Sequence, residues 1–269
     1  MDLSILVLNY KTKGLLKQCL RGILDSQLLL AYEVIVVDND SRDGSVGMVR
    51  QQFPAVQVIA SPKNVGFAAG MNIGLARATG RVVLLLNPDV AIFHQAVATL
   101  IDYLDTHPQV GLAAPKLINP DGTTQLSCYR FPNIWTPLLR RTPLGRFPAG
   151  RRTLRRYLMS DWDHQDNRAV GWVLGACMLI RRTSLERIGP FDERFFLYFE
   201  DVDLCRRMWQ AGWEVHYAAS AEMVHYHQRL SAEYPGLQGL FSYPTRIHIQ
   251  SGLKYFSKYL GSPPPPHQV

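Results

Sequence analysis

The sequence predicts an α/β fold: a mostly parallel sheet with helices on both faces, an Arg-rich insertion and a C-terminal amphipathic helix. Three observations predict it. Short apolar runs recur through the first hundred residues, each followed by a stretch whose apolar residues repeat at helical spacing. The runs are apolar at every position rather than at alternate ones, the mark of strands covered on both faces. Polar clusters sit at the carboxyl ends of those runs, where such sheets bind ligands.

The elements follow in order. Leu3 to Leu8 reads as a strand, and Leu15, Leu16, Cys19, Leu20, Ile23 and Leu24 as the buried stripe of a helix. Glu33 to Val37 is a second strand closing on Asp38, and Val56 to Ile59 a third. Gly66, Gly70, Gly74 and Ala78 recur every four residues and give the helix over Gly66 to Ala78 a flat, small face for close packing. Val82 to Leu86 is a fourth strand, and Ala96, Val97, Leu100, Ile101 and Leu104 line a helix over Phe93 to Leu104. Asn119-Pro120-Asp121-Gly122 is a turn between short strands. An Arg-rich segment with six prolines from Pro115 to Pro148 is expected to wrap the sheet or project from it. Ala169 to Ile180 reads as one long strand, followed by a helix over Thr183 to Ile188 that Gly189-Pro190 stops. A helix from Asp201 to Ala211, strands at Trp213 to Tyr217 and Glu222 to Tyr226, and a helix from Pro244 to Leu260 complete the domain. The division is 1–261 for the domain, in parts 1–115, 116–168 and 169–261, and 262–269 for an extended Pro-rich tail.

At 269 residues and 47% apolar, the chain can bury a large core, which excludes disorder as its dominant state. Its net charge of +7 is local: no Asp or Glu occurs from Gly122 to Ser160, where eight arginines lie, so the rest of the chain is near −1. Protein that coats nucleic acid is basic over a whole face, and that pattern is absent. Cys19, Cys128, Cys177 and Cys205 share no short spacing, so neither a zinc ribbon nor a disulfide scaffold is readable. The N-terminus lacks a basic lead and cleavable apolar stretch, and no apolar run approaches the roughly 18 residues that span a bilayer. A cytoplasmic protein is expected.

Acidic residues at strand ends are the candidates for chemistry. Asp38 either hydrogen-bonds a nucleoside's base or ribose, or caps the next turn. Asp89, behind the strand-ending Asn87-Pro88, is placed to be a Mg2+ or Mn2+ ligand or to cap the next helix. Glu200, Asp201 and Asp203 crowd three carboxylates into four residues. Glu200 and Asp201 can face a cleft as general base while Asp203 supports a helix N-terminus, or all three form an acidic helix start balanced by Arg206 and Arg207. His225 and His227 alternate on a strand and cannot share an ion; His225 is the better partner for Asp89. Dinucleotide, P-loop and serine-hydrolase motifs are absent.

The ordered motifs resemble a family 2 glycosyltransferase of the GT-A type, Rossmann-like in its sheet, in the bacterial rhamnosyltransferase-like branch. The resemblance rests on Leu3 to Tyr10, Val34 to Ser41, Asn64 to Gly74, Leu84 to Asp89, Gly171 to Arg182 and Phe191 to Leu204. It implies that Asn9, Tyr10, Asp38, Asn39, Asp40, Asn64, Gly66 and Asn72 bind the donor nucleotide, and that Asp89 and His225 hold a divalent metal, Mg2+ or Mn2+, on the diphosphate. It implies Asp201 as catalytic base with Glu200 beside it, and Trp172, Gly175 and Ala176 around the sugar and acceptor. Two positions depart from the family: Asn87 stands at the first acid of a DxD pattern, and Met71 where relatives often carry Arg.

The implied function is metal-dependent, inverting transfer of a sugar, L-rhamnose from dTDP-rhamnose in that branch, to a lipid-linked glycan or polysaccharide in cell-surface polysaccharide assembly. Sugar-phosphate nucleotidyl transfer is a rival, although Asn9-Tyr10-Lys11-Thr12-Lys13-Gly14 makes a poor phosphate loop. A non-enzymatic nucleic-acid module is the other; it leaves the acidic strand ends without a role, so no nucleic-acid partner is expected. Arg151, Arg152, Arg155 and Arg156, interspersed with leucines, are expected to touch either the inner leaflet of a membrane or an anionic acceptor.

Overall fold

The computed structural model describes residues 1–226 and 243–262. The first half is a run of strand–helix units: β1 (Leu3–Asn9), α1 (Lys13–Asp25), β2 (Tyr32–Asp38), α2 (Ser45–Gln52), β3 (Gln57–Ala60), α3 (Gly66–Leu75) and β4 (Val82–Leu86). Then come β5 (Val90–Ala91), α4 (His94–Thr106), β6 (Val110–Ile118) and β7 (Cys128–Tyr129). The basic segment holds α5 (Thr136–Arg141), a short 3-10 turn (Pro143–Arg146) and α6 (Pro148–Tyr157). The remainder is β8 (Arg168–Ala169), β9 (Trp172–Val173), β10 (Cys177–Arg181), α7 (Arg182–Ile188), α8 (Glu200–Gln210), β11 (Glu214–His225) and α9 (Tyr243–Lys258).

The main sheet runs β3-β2-β1-β4-β10-β6-β11-β5, with β8 on β11. The first four strands are mutually parallel; β10 lies antiparallel between β4 and β6, and β11 runs parallel to β6. Because β1, β2 and β4 are apolar on both sides, the sheet separates two cores. Leu3, Ile5 and Val7 of β1 pack with α1, α2 and α4, whereas Leu6 and Leu8 pack with α3, α8, α9 and Tyr157 of α6. The small face of α3 is used as its spacing predicts: a Cβ on Gly70 would come within 2.6 Å of the Leu8 side chain. Met71 fills the second core.

Two expectations need correction. Ala169 to Ile180 is not one strand. A Cβ on Gly171 would lie 2.8 Å from the Tyr129 carbonyl oxygen, so the chain leaves the main sheet there, pairs Trp172–Val173 with Cys128–Tyr129, and rejoins it at Cys177. The two strands expected at 213–217 and 222–226 are one strand, β11, with a shift of register between Ala218 and Glu222. Within the basic segment the chain folds back on itself, and Gly145 and Gly150 allow it, their missing Cβ atoms facing the Leu139 and Leu144 carbonyl oxygens. Helix α2 has no counterpart in the sequence reading, its eight residues carrying too little periodicity. His227 and the tail from Pro263 lie outside the described residues.

Candidate active site

The parallel register sets the first cluster. Asn9 pairs with Asp38 at the carboxyl ends of β1 and β2, and Asn9 donates to Asp38 Oδ2 at 2.7 Å and to Ser41 Oγ at 3.0 Å. The other oxygen of Asp38 accepts the Ser41 N–H at 3.0 Å. Asn9 and Asp38 are buried, so they act as the fixed floor of the strand-end crevice. Above them Asn39 donates to Asn64 Oδ1 and to the Gly66 carbonyl, each at 3.0 Å, while its own Oδ1 accepts the Val65 N–H at 2.9 Å. Lys11 and Asp40 take positive φ of 57° and 62°, values that a non-glycine residue holds only when its surroundings enforce them. What reaches solvent here is Tyr10 and Asp40. The Tyr10 phenol is held below its ordinary pKa by a hydrogen bond with Asn64 first and with Lys11 second.

Two residues of the expected donor set are employed elsewhere. Asn72 clamps the Phe191 backbone, accepting its N–H and donating to its carbonyl, both at 2.9 Å, and also donates to Glu193. Its amide is thus occupied in tying α3 to the 191–193 loop. Gly66 carries φ of 87° and lies so close to Phe196 that a Cβ would sit 2.3 Å from its carbonyl oxygen. That carbonyl accepts the Phe67 N–H at 2.7 Å, so Gly66 brings the loop leading into α8 against the donor side.

The second cluster forms where β4 ends. Asn87 donates its N–H to the Ala176 carbonyl at 2.8 Å, and the Asp89 carbonyl accepts the Tyr226 N–H at 2.8 Å. Pairing of Val90 with His225 brings Asp89 Oδ1 to 3.4 Å from His225 Nε2. Gln125, which the sequence reading missed, completes the arrangement. Its amide N–H goes to Asn119 at 2.9 Å, which turns Oε1 toward His225 Nδ1 at 2.6 Å. An amide oxygen only accepts, so Nδ1 donates to Gln125 and the ring is oriented with Nε2 toward Asp89. Asp89 Oδ1 is buried without a hydrogen-bond partner. An imidazole nitrogen and a carboxylate oxygen facing each other are ligand types that a divalent cation accepts. Among the described residues no third His, Cys, Asp or Glu joins them, which leaves room for oxygens of a substrate.

The third cluster is the acidic start of α8. Tyr198 and Phe199 both take positive φ, 68° and 70°, and turn the chain so that Glu200 and Asp201 point inward. Both carboxylates are buried. Asp201 accepts the Gly175 N–H at 3.1 Å and the Val202 N–H at 2.8 Å, and its side chain lies 3.5 Å from where a Gly175 Cβ would be. Burial pushes Asp201 up to about 6 despite those hydrogen bonds. Glu200 is raised well above the carboxylate range, by burial first and then by the Asp201 charge, and its Oε2 has no partner. The two carboxyl groups therefore titrate as a coupled pair, with burial and their mutual repulsion both disfavouring the doubly charged state. Asp203 does something different from capping the helix. It is fully buried and accepts from Arg207 at 2.8 Å, Lys258 at 2.5 Å and Tyr259 at 2.8 Å, fastening α9 to α8.

Of the three residues expected around the sugar and acceptor, Gly175 and Ala176 lie between the carboxylate and the Asp89 loop. Trp172 does not: its indole N–H donates to the Arg130 carbonyl at 3.0 Å and its ring stacks on Tyr129, with centroids 4.5 Å apart. It joins the basic segment to the second core. Arg151, Arg152, Arg155 and Arg156 are exposed on α6.

Comparison with known proteins identifies the family and the fold. The model of the family described as glycosyl transferase family 2 matches residues 4–189. An N-acetylglucosaminyl-diphospho-decaprenol L-rhamnosyltransferase of Mycobacterium tuberculosis is 30% identical over 204 residues, covering 72% of this chain. The chain spans 66% of the length of that relative. The rhamnosyltransferase WbbL of Escherichia coli K12 is 24% identical, with 84% of this chain and 83% of WbbL covered. Among solved structures, GalNAc-T7 with UDP, GalNAc and Mn2+ superposes with a TM-score of 0.64 at 15% identity, over 93% of this chain and 47% of that one. A Pyrobaculum calidifontis mannosyltransferase with GDP-Man and Mn2+ gives 0.58 at 16% identity, over 97% and 76%. The fold is thus of the GT-A type.

Proposed function

Because the chain belongs to glycosyl transferase family 2, we propose that it transfers a sugar, with inversion, from a nucleotide-sugar donor to a hydroxyl of a glycan acceptor. One observation carries this reading: a buried, ionisable Asp201 and the orphaned Asp89 oxygen beside His225 lie on opposite sides of the short Gly175–Ala176 bridge. Inverting transfer needs a base for the acceptor hydroxyl and charge stabilisation for the leaving diphosphate, and it needs no covalent nucleophile.

Asp89 and His225 would hold a divalent cation, Mg2+ or Mn2+, which supplies charge neutralisation to the departing nucleoside diphosphate. Gln125 fixes the His225 ring for that task. Exposed Tyr10 and half-buried Asp40, beside the Asn9–Asp38 floor, receive the nucleoside, with Asn39 and Asn64 shaping the wall. Asp201, ionised and oriented by the Gly175 N–H, takes the acceptor proton as the hydroxyl attacks the anomeric carbon. Glu200 lies beside it, raised well above the carboxylate range by burial first and by the Asp201 charge second.

The finer identity follows the names of those relatives, L-rhamnose as the sugar and a glycan on a lipid diphosphate as acceptor, with dTDP-rhamnose the donor that the motif resemblance implies. Nucleotidyl transfer and nucleic-acid binding are not favoured, since neither fits the family. Among the described residues no helix is long and apolar enough to cross a membrane. Contact with an inner leaflet is supported instead by Ile134, Trp135, Leu138, Leu144 and Phe147, all exposed on the basic hairpin. The test is a thermal-shift screen of dTDP-rhamnose and other nucleotide sugars with Mg2+ or Mn2+, followed by transfer assays. A donor at a hundred times its Kd stabilises by about 2.7 kcal/mol. Asp201→Asn is expected to lose transfer by at least about 10²-fold with that shift retained; full activity in Asp201→Asn would overturn the assignment of the base.

A further inference from the structure

The basic hairpin contains a concave site that the transfer chemistry described above leaves unused. Arg130, Arg151, Arg152, Arg155 and Arg156, with Pro148 and Asp161, line an open groove of about 740 Å³. Five guanidiniums against one carboxylate leave a formal +4. Elsewhere the chain pairs its arginines: Arg42 with Asp40, Arg81 with Asp105, Arg168 with Asp166, Arg194 with Asp192 and Arg207 with Asp203. Among the described residues, Arg130, Arg151, Arg152 and Arg155 have no carboxylate within salt-bridge reach. Like charges held this close repel, and an anion between them removes that repulsion.

The groove is also built rather than draped. Arg130 donates its N–H to the Tyr157 carbonyl at 3.0 Å and accepts the Trp172 indole N–H at 3.0 Å. The Tyr129 ring stacks on Tyr157 on one side and Trp172 on the other, at 5.5 and 4.5 Å. These contacts fix Arg130 relative to α6, and both relative to β9, which leads in three residues to Gly175 and its hydrogen bond to Asp201. The Asp201 charge is among those felt by the buried Tyr157 phenol. So the groove is tied through β9 to the backbone that holds Asp201, while Asp89 and His225 are the residues proposed for the donor's diphosphate.

We propose that this groove is a second phosphate site, which binds the diphosphate of the acceptor and thereby delivers the acceptor hydroxyl toward Asp201. Arg presents two parallel N–H donors to a phosphate, and Arg151, Arg152 and Arg155 on α6, with Arg130 across the groove, present four such forks. That number suits two linked phosphates better than one. The proposal rests on the reading that the acceptor is carried on a diphosphate.

Vesicle co-sedimentation of the full chain tests it, with three vesicle types: neutral phosphatidylcholine, the same doped with a polyprenyl diphosphate, and the same doped with phosphatidylglycerol to equal charge. Wild type is expected to bind the diphosphate vesicles about tenfold more tightly than the charge-matched ones, a difference of about 1.4 kcal/mol. A variant with Gln at 151, 152, 155 and 156 is expected to lose that preference. The corresponding Lys variant, which keeps the charge and removes the forks, is expected to retain phosphatidylglycerol binding while its preference for diphosphate falls severalfold. Equal wild-type binding to the two anionic vesicles, or an undiminished preference in the Lys variant, overturns the proposal. Donor binding is measured in parallel. Normal nucleotide-sugar binding without a diphosphate preference sinks this inference alone; a diphosphate preference without any nucleotide-sugar binding sinks the transferase reading alone.

Discussion

A free aspartate, with a pKa near 3.9, is ionised at pH 7 and correspondingly weak as a base. Asp201 escapes that weakness by burial, which moves it to about 6 and closer to the pH at which it would work. The acid limb of kcat/KM is therefore expected near pH 6, with activity falling as pH drops below it; a limb near pH 4 would remove burial as the tuning device. The same shift has a thermodynamic sign. Native Asp201 holds its proton more tightly than the unfolded chain does, so stability declines as pH rises from about 4 through about 6. Asp201→Asn removes that penalty and is expected to raise Tm at pH 8 while activity is lost, as thermal melts of the two proteins would show. His225 depends on its neighbour too: Gln125 accepts from Nδ1 and so helps to turn Nε2 toward Asp89.

At the scale of elements, the active site is held by α9 more than by α8 itself. Ser251 donates to the Leu197 carbonyl at 2.8 Å, and Gly252 lets α9 sit against the Phe199 ring, where a Cβ would be 3.3 Å away. Tyr198, Phe199 and hence Glu200 and Asp201 are thereby locked in a turn that their side chains alone disfavour. Asp203 is the bolt, because Arg207, Lys258 and Tyr259 converge on it. Asp203→Ala leaves Lys258 and Arg207 nearly buried and short of a counter-charge, although Asp192 still pairs with Lys258. The expected loss is about 3 kcal/mol, on the order of 8 °C in Tm at this size. A calorimetric Tm within a degree of wild type would show that α9 is held by its apolar face instead.

Over the whole molecule, one sheet separates two cores, and the basic hairpin attaches to the second through Tyr129, Tyr157 and Trp172. Its outer surface exposes Ile134, Trp135 and Phe147 at 65%, 63% and 62%. If this surface enters a leaflet, Trp135→Ser with Phe147→Ser is expected to weaken co-sedimentation with neutral vesicles by about 2 kcal/mol or more, since each ring then stays in water; unchanged co-sedimentation would assign the surface to another contact. The linear chain determined the βα alternation, the carboxyl-end polar clusters and the acidic start of α8, because burial on both sides of a strand and the period of a helix are written in local residue order. Only the tertiary structure decided which polar residues converge. Gln125 meets His225 across a hundred positions, Asp203 meets α9 across more than fifty, and Trp172 was drawn out of the expected pocket by Arg130. Such pairings depend on strand register and on glycines that permit close approach, and neither leaves a local period in the sequence. The five-arginine groove follows the same rule: the excess of charge was legible from composition, but its concave shape exists only because Gly145 and Gly150 fold the hairpin and Arg130 closes it.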